Sequence, residues 1–353
     1  MEEIKNNNFE FDNSEGVSLK CLSCGSSLIF DPETQLFSCD VCHSSFTKDD
    51  LKIEALSDND QTYDETFTEY DCPSCGAEIL TDETTSTEFC AYCGNPVVLK
   101  GRINGQLKPN LIIPFKIDKD KAKEILVNEL RTYSYIPNSF FNEANLDKIT
   151  GIYYPFWEAD LDIDCKLYAE CTKVDTWVNG DKRFTRTSYY NVRRDGDIHF
   201  DDITINALKS ADKSLVEGIL PYPIKDHIPF NIAYLSGFYA KKNDLTFNDV
   251  KGEINQKVGN YSYDLMKNSI TGYNSVKIKT NLVNVKKLHK DYTLLPIWVL
   301  NYKYNNKNYT FAINGVTGKF FGEVPISKAK LGLTFFGIFT AIFMILSLIG
   351  GLF

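Results

Sequence analysis

Cys21-Leu22-Ser23-Cys24 with Cys39-Asp40-Val41-Cys42, and then Cys72-Pro73-Ser74-Cys75 with Cys90-Ala91-Tyr92-Cys93, decide how the first third of this chain folds. Every cysteine of the first set maps onto the second by a shift of 51 residues, so the segment is a tandem repeat. The spacing has a metal-binding reason. A Cys-x-x-Cys turn aims two sulfurs at one ion, and two such turns complete the tetrahedron of a structural Zn2+ site. Gly25, Gly76 and Gly94 follow three of the four turns, where glycine tolerates the positive φ such a turn often demands. His43 stands at the fourth. Runs such as Leu28-Ile29-Phe30 and Gln35-Leu36-Phe37-Ser38 between the turns suit a β-hairpin. The pattern predicts two tandem zinc ribbons, over residues 19–47 and 71–99. Their eight thiolate ligands are Cys21, Cys24, Cys39, Cys42, Cys72, Cys75, Cys90 and Cys93, for two Zn2+ ions.

Cys39-Asp40-Val41-Cys42-His43 also fits the haem-attachment pattern C-x-x-C-H. Haem attachment needs an exported chain. Residues 1–18 are polar and acidic, without the apolar run of a signal peptide, and predict a disordered acidic tail. The equivalent turn of the second repeat carries no histidine. Four thiolates close each site without help from His43.

The formal net charge of −9 hides an asymmetry. Residues 1–100 carry 5 Lys and no Arg against 21 Asp and Glu, a net −16, and the rest of the chain is +7. Nucleic-acid affinity comes mainly from Lys and Arg neutralising phosphates. Ribbons this acidic are repelled by DNA and RNA, which argues against the nucleic-acid-binding role that zinc ribbons usually suggest. Residues 48–70 read as an acidic linker between the ribbons.

Residues 110–327 read as an α+β domain rich in antiparallel sheet. Ile112–Ile117 is a strand with an edge proline. Asp118 caps a helix over 119–132, with Ala122, Ile125, Leu126 and Leu130 on one face. Residues 160–165 alternate Asp160, Asp162 and Asp164 with Leu161, Ile163 and Cys165, the period of a half-buried strand. Asn179-Gly180 and Asp195-Gly196 both read as hairpin turns. Thr246 caps a helix over 247–268, with Val250, Ile254, Val258, Tyr261 and Leu265 inward. Asn305-Asn306 turns a further hairpin between 297–304 and 308–314. Tyr153-Tyr154-Pro155-Phe156-Trp157 and Leu294-Leu295-Pro296-Ile297-Trp298 echo one another and suggest a duplicated half-domain.

Leu331 to Phe353 runs for 23 residues without a charge. At ~1.5 Å per residue it spans ~34 Å as a helix, enough for a ~30 Å hydrocarbon core. It predicts a single transmembrane helix at 331–353. Lys328 and Lys330 precede it, so the positive-inside tendency places residues 1–330 in the cytoplasm. Cytoplasmic thiols in turn favour metal over disulfides. Ten lysines between 276 and 330, against Asp291 and Glu323, read as a cationic face that anionic lipid would attract, or as a solvated face.

Candidates for chemistry are sparse. The Asp160, Asp162 and Asp164 row reads as the wet face of a strand, and Cys165 and Cys171 as buried structural thiols. His199, His227 and His289 stand isolated in the sequence. Walker, dinucleotide and H-E-x-x-H patterns are absent.

The order of parts resembles a bacterial family of double-zinc-ribbon membrane proteins. Its members are often labelled as carrying a transcription-factor-IIB-type ribbon, or as primosomal-helicase-like. The matching residues are the eight cysteines, Ile113-Pro114-Phe115, Tyr154-Pro155-Phe156-Trp157, Leu235-Ser236-Gly237-Phe238, Leu295-Pro296-Ile297-Trp298 and the final helix. The resemblance implies a place in phage-shock-type membrane-stress systems, beside an SPFH-domain scaffold and a PspA-like membrane-coating protein. The expectation is a non-enzymatic, membrane-tethered cytoplasmic adaptor. The alternatives are a nucleic-acid-binding ribbon protein and an enzyme in the 110–325 domain.

Overall fold

Residues 19–51 of the computed structural model form a small three-stranded ribbon, β1 (Ile29–Asp31), β2 (Leu36–Ser38) and β3 (Ser45–Phe46), in that order. Phe30 lies opposite Phe37 across the first pair. The structure describes residues 19–51, 67–71, 78–81, 98–103, 109–209, 211–241 and 243–350. The predicted acidic tail, most of the 48–70 linker and the cysteines of the second repeat lie outside these.

Strands β4 (Phe67–Asp71) and β6 (Val98–Ile103) flank the cysteines of the second repeat, β5 (Glu78–Thr81) lies between its two Cys-x-x-Cys pairs, and β4 pairs antiparallel with both others. Then come β7 (Leu111–Ile112), α1 (Lys119–Arg131), α2 (Glu143–Leu146), β8 (Thr150–Asn179), β9 (Lys182–Phe200), β10 (Ile205–Asn206), α3 (Lys213–Gly218) and β11 (Ile228–Pro229). The described chain closes with β12 (Tyr239–Lys241), α4 (Phe247–Asn268), β13 (Ser275–Tyr304), β14 (Lys307–Asn314), β15 (Phe320–Gly322) and α5 (Lys328–Gly350). The class is α+β, built on antiparallel pairs such as β8–β9 and β13–β14, with β12 and β8 paired in parallel.

The chain divides into two compact units, and both 30-residue strands, β8 and β13, run through both. One unit holds residues 1–155, 210–242 and 294–353; the other holds 156–209 and 243–293. Leaving aside the short α2, the order β7-α1-β8-β9-β10 recurs as β12-α4-β13-β14-β15. The suggested duplication is matched in element order, but the last strands pair differently, β10 with β8 and β15 with β14. The two echoing motifs do equivalent work, but reciprocally. Trp157, on the first long strand, donates its indole N–H to Leu245 O, just before the cap of α4, at 2.8 Å. Trp298, on the second, donates to Ile117 O, just before the cap of α1, also at 2.8 Å. Each helix thus packs with the hairpin of the other half.

In the first unit, Asp118 caps α1 by accepting from Lys121 N–H, and Ala122, Leu126 and Leu130 are buried. They join an aromatic centre in which the Phe115 ring lies 4.3 Å from Phe238, 5.0 Å from Trp298 and 5.1 Å from Tyr153. The ribbon belongs to this same core: Phe30 and Phe37 pack on Tyr234 with ring separations of 5.1 and 5.8 Å. Phe30 N–H donates to Ser236 O at 3.3 Å, and Ser236 Oγ donates to Leu28 O at 2.9 Å. Four residues on, Ala240 and Lys241 pair with Leu80 and Ile79 of β5. By the repeat offset these are the counterparts of Ile29 and Leu28. The stretch Ser236–Lys241 therefore receives the equivalent strand of each four-cysteine repeat.

Gly237, at φ +84°, makes this seat possible, because a Cβ there would stand 2.6 Å from Ile29 Cγ2 of the ribbon. Gly237→Ala combines left-handed backbone strain with that clash. It should cost about 1–3 kcal/mol, read as a lower midpoint in thermal unfolding and faster proteolysis of residues 19–51.

In the second unit, Leu161, Ile163, Cys165, Leu167, Ala169 and Cys171 bury one face of β8, with Val192 from β9. Helix α4 covers this core with Phe247, Val250, Ile254, Val258, Ser262 and Met266. Its stripe continues to Ser262 and Met266, leaving Tyr261 and Leu265 exposed, a correction to the face read from sequence. Asp195-Gly196 is likewise not a turn. It sits inside β9, opposite Lys166 and Cys165. The positive φ that a primed turn needs is taken by Gly180, at φ +60°, and not by Gly196. Asn305 and Asn306, at φ +49° and +64°, do turn the β13–β14 hairpin.

Candidate metal centre and the polar clusters around it

The two turns of the first repeat are built alike. Gly25 N–H donates to Cys21 O at 2.8 Å and His43 N–H donates to Cys39 O at 2.9 Å. Gly25 and His43 both take positive φ, +77° and +58°, so His43 fills the glycine position of its turn. Cys21 N–H and Cys39 N–H donate to Ser26 O and Ser44 O, which closes each loop.

These loops bring Cys21, Cys24, Cys39 and Cys42 together, all four sulfurs within 4.8 Å of one another. Cys21 Sγ is 3.4 Å from Cys42 Sγ, and Cys24 Sγ is 3.5 Å from Cys39 Sγ. A disulfide would need about 2.05 Å. Four sulfurs on one tetrahedral Zn2+ at about 2.3 Å stand roughly 3.8 Å apart. The donor set and its dimensions fit a single soft divalent cation and could hold one.

The surroundings favour thiolate at the outer positions. The Ser44 hydroxyl, 3.3 Å from Cys42 Sγ, and the Ser44 backbone N–H bring Cys42 down to about 6. Ser26 lowers Cys24 in the same way, through its side chain first and then its backbone. Cys39 has the Cys42 backbone N–H as its largest influence, favouring the thiolate, but burial and a shared proton with Cys24 carry it up to about 11. Cys21 and Cys39 are buried, Cys42 partly so, and Cys24 is exposed, giving a site with one side in the core. The serines were not singled out from sequence. The signal was present, since both turns of this repeat end in Cys-x-Ser. Cys72, Cys75, Cys90 and Cys93 lie outside the described residues.

Another polar cluster joins residues that sequence spacing kept apart. Asp162 and His199 are cross-strand partners on β8 and β9. His199 Nδ1 is 2.6 Å from Asp162 Oδ1, and its Nε2 is 2.6 Å from Asp201 Oδ1. Lys287 Nζ is 3.6 Å from the other Asp162 oxygen. The Asp162 hydrogen bond, then that of Asp201, raises the His199 pKa, and the His199 hydrogen bond lowers that of Asp162. His199 is more than half exposed on a strand face, an ion-pair arrangement and not a cleft.

The sign of its pH dependence follows. A raised histidine pKa adds stability below its unfolded value, and that stability is lost as pH rises through the folded value. A depressed Asp162 pKa adds stability above its unfolded value, lost as pH falls through the folded one. The pair should hold across mildly acid to neutral pH and weaken outside it. NMR titration of the His199 ring should give a pKa above the usual histidine value, returning toward it in Asp162→Asn.

The other residues named from sequence are placed as follows. Asp160 accepts from Asp202 N–H, and Asp164 pairs with Lys166. Cys165 and Cys171 are buried, and burial pushes both thiols up. Trp157 and Trp298 are core anchors. Four of the ten lysines between 276 and 330 meet a carboxylate. Lys279 pairs with Glu170, Lys286 with Asp197, Lys287 with Asp162 and Lys307 with Glu323. Neighbouring strands thus bring a carboxylate to four of the ten, which linear counting cannot show.

The final helix, α5, is long and apolar enough to cross a membrane. Its described apolar side chains from Leu331 to Leu346 are exposed. Its base is tied to the body: Ser327 N–H donates to Tyr135 O at 2.8 Å and Lys330 Nζ to Ile136 O at 2.6 Å.

No family model matches the chain, and no solved structure matches it. The chain is 31% identical over 333 residues to a Bacillus subtilis (strain 168) protein described as uncharacterized protein YdjG. The alignment takes in 94% of this chain and 97% of that protein.

Proposed function

The chain belongs to the same family as YdjG, and for this member we propose the role of a membrane-tethered cytoplasmic adaptor. Two zinc ribbons form its recruiting surface, the α+β body is its frame, and α5 is its single-pass anchor, with residues 1–330 on the cytoplasmic side. One observation carries the reading. Ser236–Lys241 accepts the matching strand of each repeat, which supports ribbons built into the body over beads on a linker. Zinc held by four thiolates has no open position for substrate. Its contribution is rigidity in a segment too small to hold its own shape. The acidic ribbons then present negative surface to a basic partner.

The partners implied by the resemblance are an SPFH-domain scaffold and a PspA-like membrane-coating protein, in envelope-stress or membrane maintenance. The test is a crosslinked pull-down of the full chain from detergent-solubilised membranes, beside two variants. One carries Cys72, Cys75, Cys90 and Cys93 changed to serine, and the other Cys21, Cys24, Cys39 and Cys42. Capture of scaffold or coating proteins that is lost in a variant supports the adaptor and assigns the ribbon. Capture of nucleic acid or transcription proteins overturns it. Turnover abolished by Asp162→Asn, with the fold intact, would instead support the enzyme alternative through the Asp162–His199–Asp201 cluster.

A further inference from the structure

The β8–β9 hairpin outruns its own core. From Leu161 to Cys171 alternate residues of β8 are buried, but from Lys173 around the turn to Asn191 no side chain is. The strands stay in register to the tip, Asn179 opposite Lys182. About 24 Å of paired strand extends beyond the last buried position, at ~3.4 Å per residue.

The arm is both apolar and basic. Trp177 and Phe184 are cross-strand partners, stacked with ring centroids 5.7 Å apart and planes 15° from parallel. Lys173, Lys182 and Arg186 share their face by strand alternation, with Arg186 held to Asp175 at 3.1 Å. Val178 and Arg183, also opposite one another, lie on the other face, and Val178 is 66% exposed. Residues 173–187 hold Lys173, Lys182, Arg183 and Arg186 against Asp175 and Asp181, in a chain of net charge −9. A cross-strand aromatic pair stabilises a hairpin by itself. That does not account for apolar and cationic side chains gathered where the hairpin has left its core.

We propose that this arm is a second membrane contact, with Trp177 and Phe184 lying in the headgroup layer of an anionic bilayer. The inference rests on the reading of α5 as an anchor. Tryptophan favours the membrane–water interface, where its ring has both apolar and polar surroundings. Lysine and arginine extend their apolar stems alongside and keep their charges at the phosphates. A tether makes such a contact intramolecular, so modest intrinsic affinity suffices. A second copy of the arm fits less well, because pairing two arms would bring their excess positive charges together.

The full chain contains three tryptophans. Trp157 and Trp298 are 5% and 4% exposed and Trp177 is 47% exposed, so quencher-accessible emission reports Trp177. The experiment reconstitutes the full chain into phosphatidylcholine–phosphatidylglycerol vesicles whose acyl chains are brominated near the headgroup. The brominated lipid should quench the Trp177 emission, and aqueous acrylamide should quench it less than in detergent. Trp177→Phe should remove both effects. Lys182→Glu with Arg183→Glu should restore acrylamide access while the vesicles still float with protein. Vesicles that carry the chain but leave Trp177 open to acrylamide and untouched by bromine overturn the arm alone. A chain that does not float overturns the anchor, and the arm with it. Shielding in detergent that rises with protein concentration assigns the arm to a second copy instead.

Discussion

Cys39→Ser should remove one equivalent of bound zinc and lower the thermal midpoint of the first unit by roughly 10 °C or more. Cys39 is buried, its sulfur lies 3.5 Å from Cys24 Sγ, and it shares a core cluster with Leu28, Phe30 and Phe37. Structural zinc in small ribbons contributes about 10–16 kcal/mol of apparent binding free energy, and binding there is inseparable from folding. Loss of a metal belongs with the few changes that cost more than about 4 kcal/mol, and at about 2–4 °C per kcal/mol the shift exceeds ordinary core truncations. The damage should not stop at the ribbon. Phe30 and Phe37 pack on Tyr234, and Leu28 and Phe30 bond to Ser236, so a ribbon that opens uncovers part of the body. Zinc released on thiol modification gives the stoichiometry, and near-ultraviolet circular dichroism on heating gives the midpoint. A chelator applied to the unchanged chain should reproduce the shift. A Cys39→Ser chain with full zinc content and an unchanged midpoint would show that the four sulfurs hold no metal.

Truncation after Lys330 should move the protein from the membrane fraction to the soluble one. From Leu331 to Leu346 the helix exposes leucine, isoleucine, phenylalanine and methionine on all sides. Moving that many large apolar side chains out of water is worth on the order of 20 kcal/mol at about 1.5–3 kcal/mol each. The truncation spares the body, because the bonds from Ser327 and Lys330 to Tyr135 and Ile136 lie before the cut. The full chain should resist alkaline and high-salt extraction. The truncated chain should be released by salt, since the hairpin arm supplies only screened charge and a few interfacial side chains. A truncated chain that still resists extraction would place the anchor elsewhere.

Some features were open to a reader of the sequence because their physics is local. Four cysteines in two Cys-x-x-Cys turns can do little but converge, and the structure brings Cys21, Cys24, Cys39 and Cys42 together. Asp118 and Thr246 are caps because the unpaired N–H groups they serve are their near neighbours. The uncharged run after Lys330 becomes an exposed apolar helix for the same reason. The two proline–tryptophan motifs sit on strands of a repeated element order and make reciprocal indole hydrogen bonds.

Other features depend on which segments meet, and sequence spacing carries no such information. Asp195-Gly196 has the composition of a turn, yet pairing along β8 outweighs that local preference. His199 looked isolated until strand register set it against Asp162, 37 residues away. The lysines between 276 and 330 looked like one cationic face until neighbouring strands brought a carboxylate to several of them. Ser236 and Gly237 have no local signature of a docking site. They become one because the chain returns there after some 200 residues to meet Leu28, Ile29 and Phe30. The convergence of four thiols, helix capping and apolar length were thus set by the sequence through near neighbours. The union of ribbon and body, the exchange of tryptophans between the two halves and the pairing of charges were decided by tertiary contact, where burial and strand register outweigh local propensity.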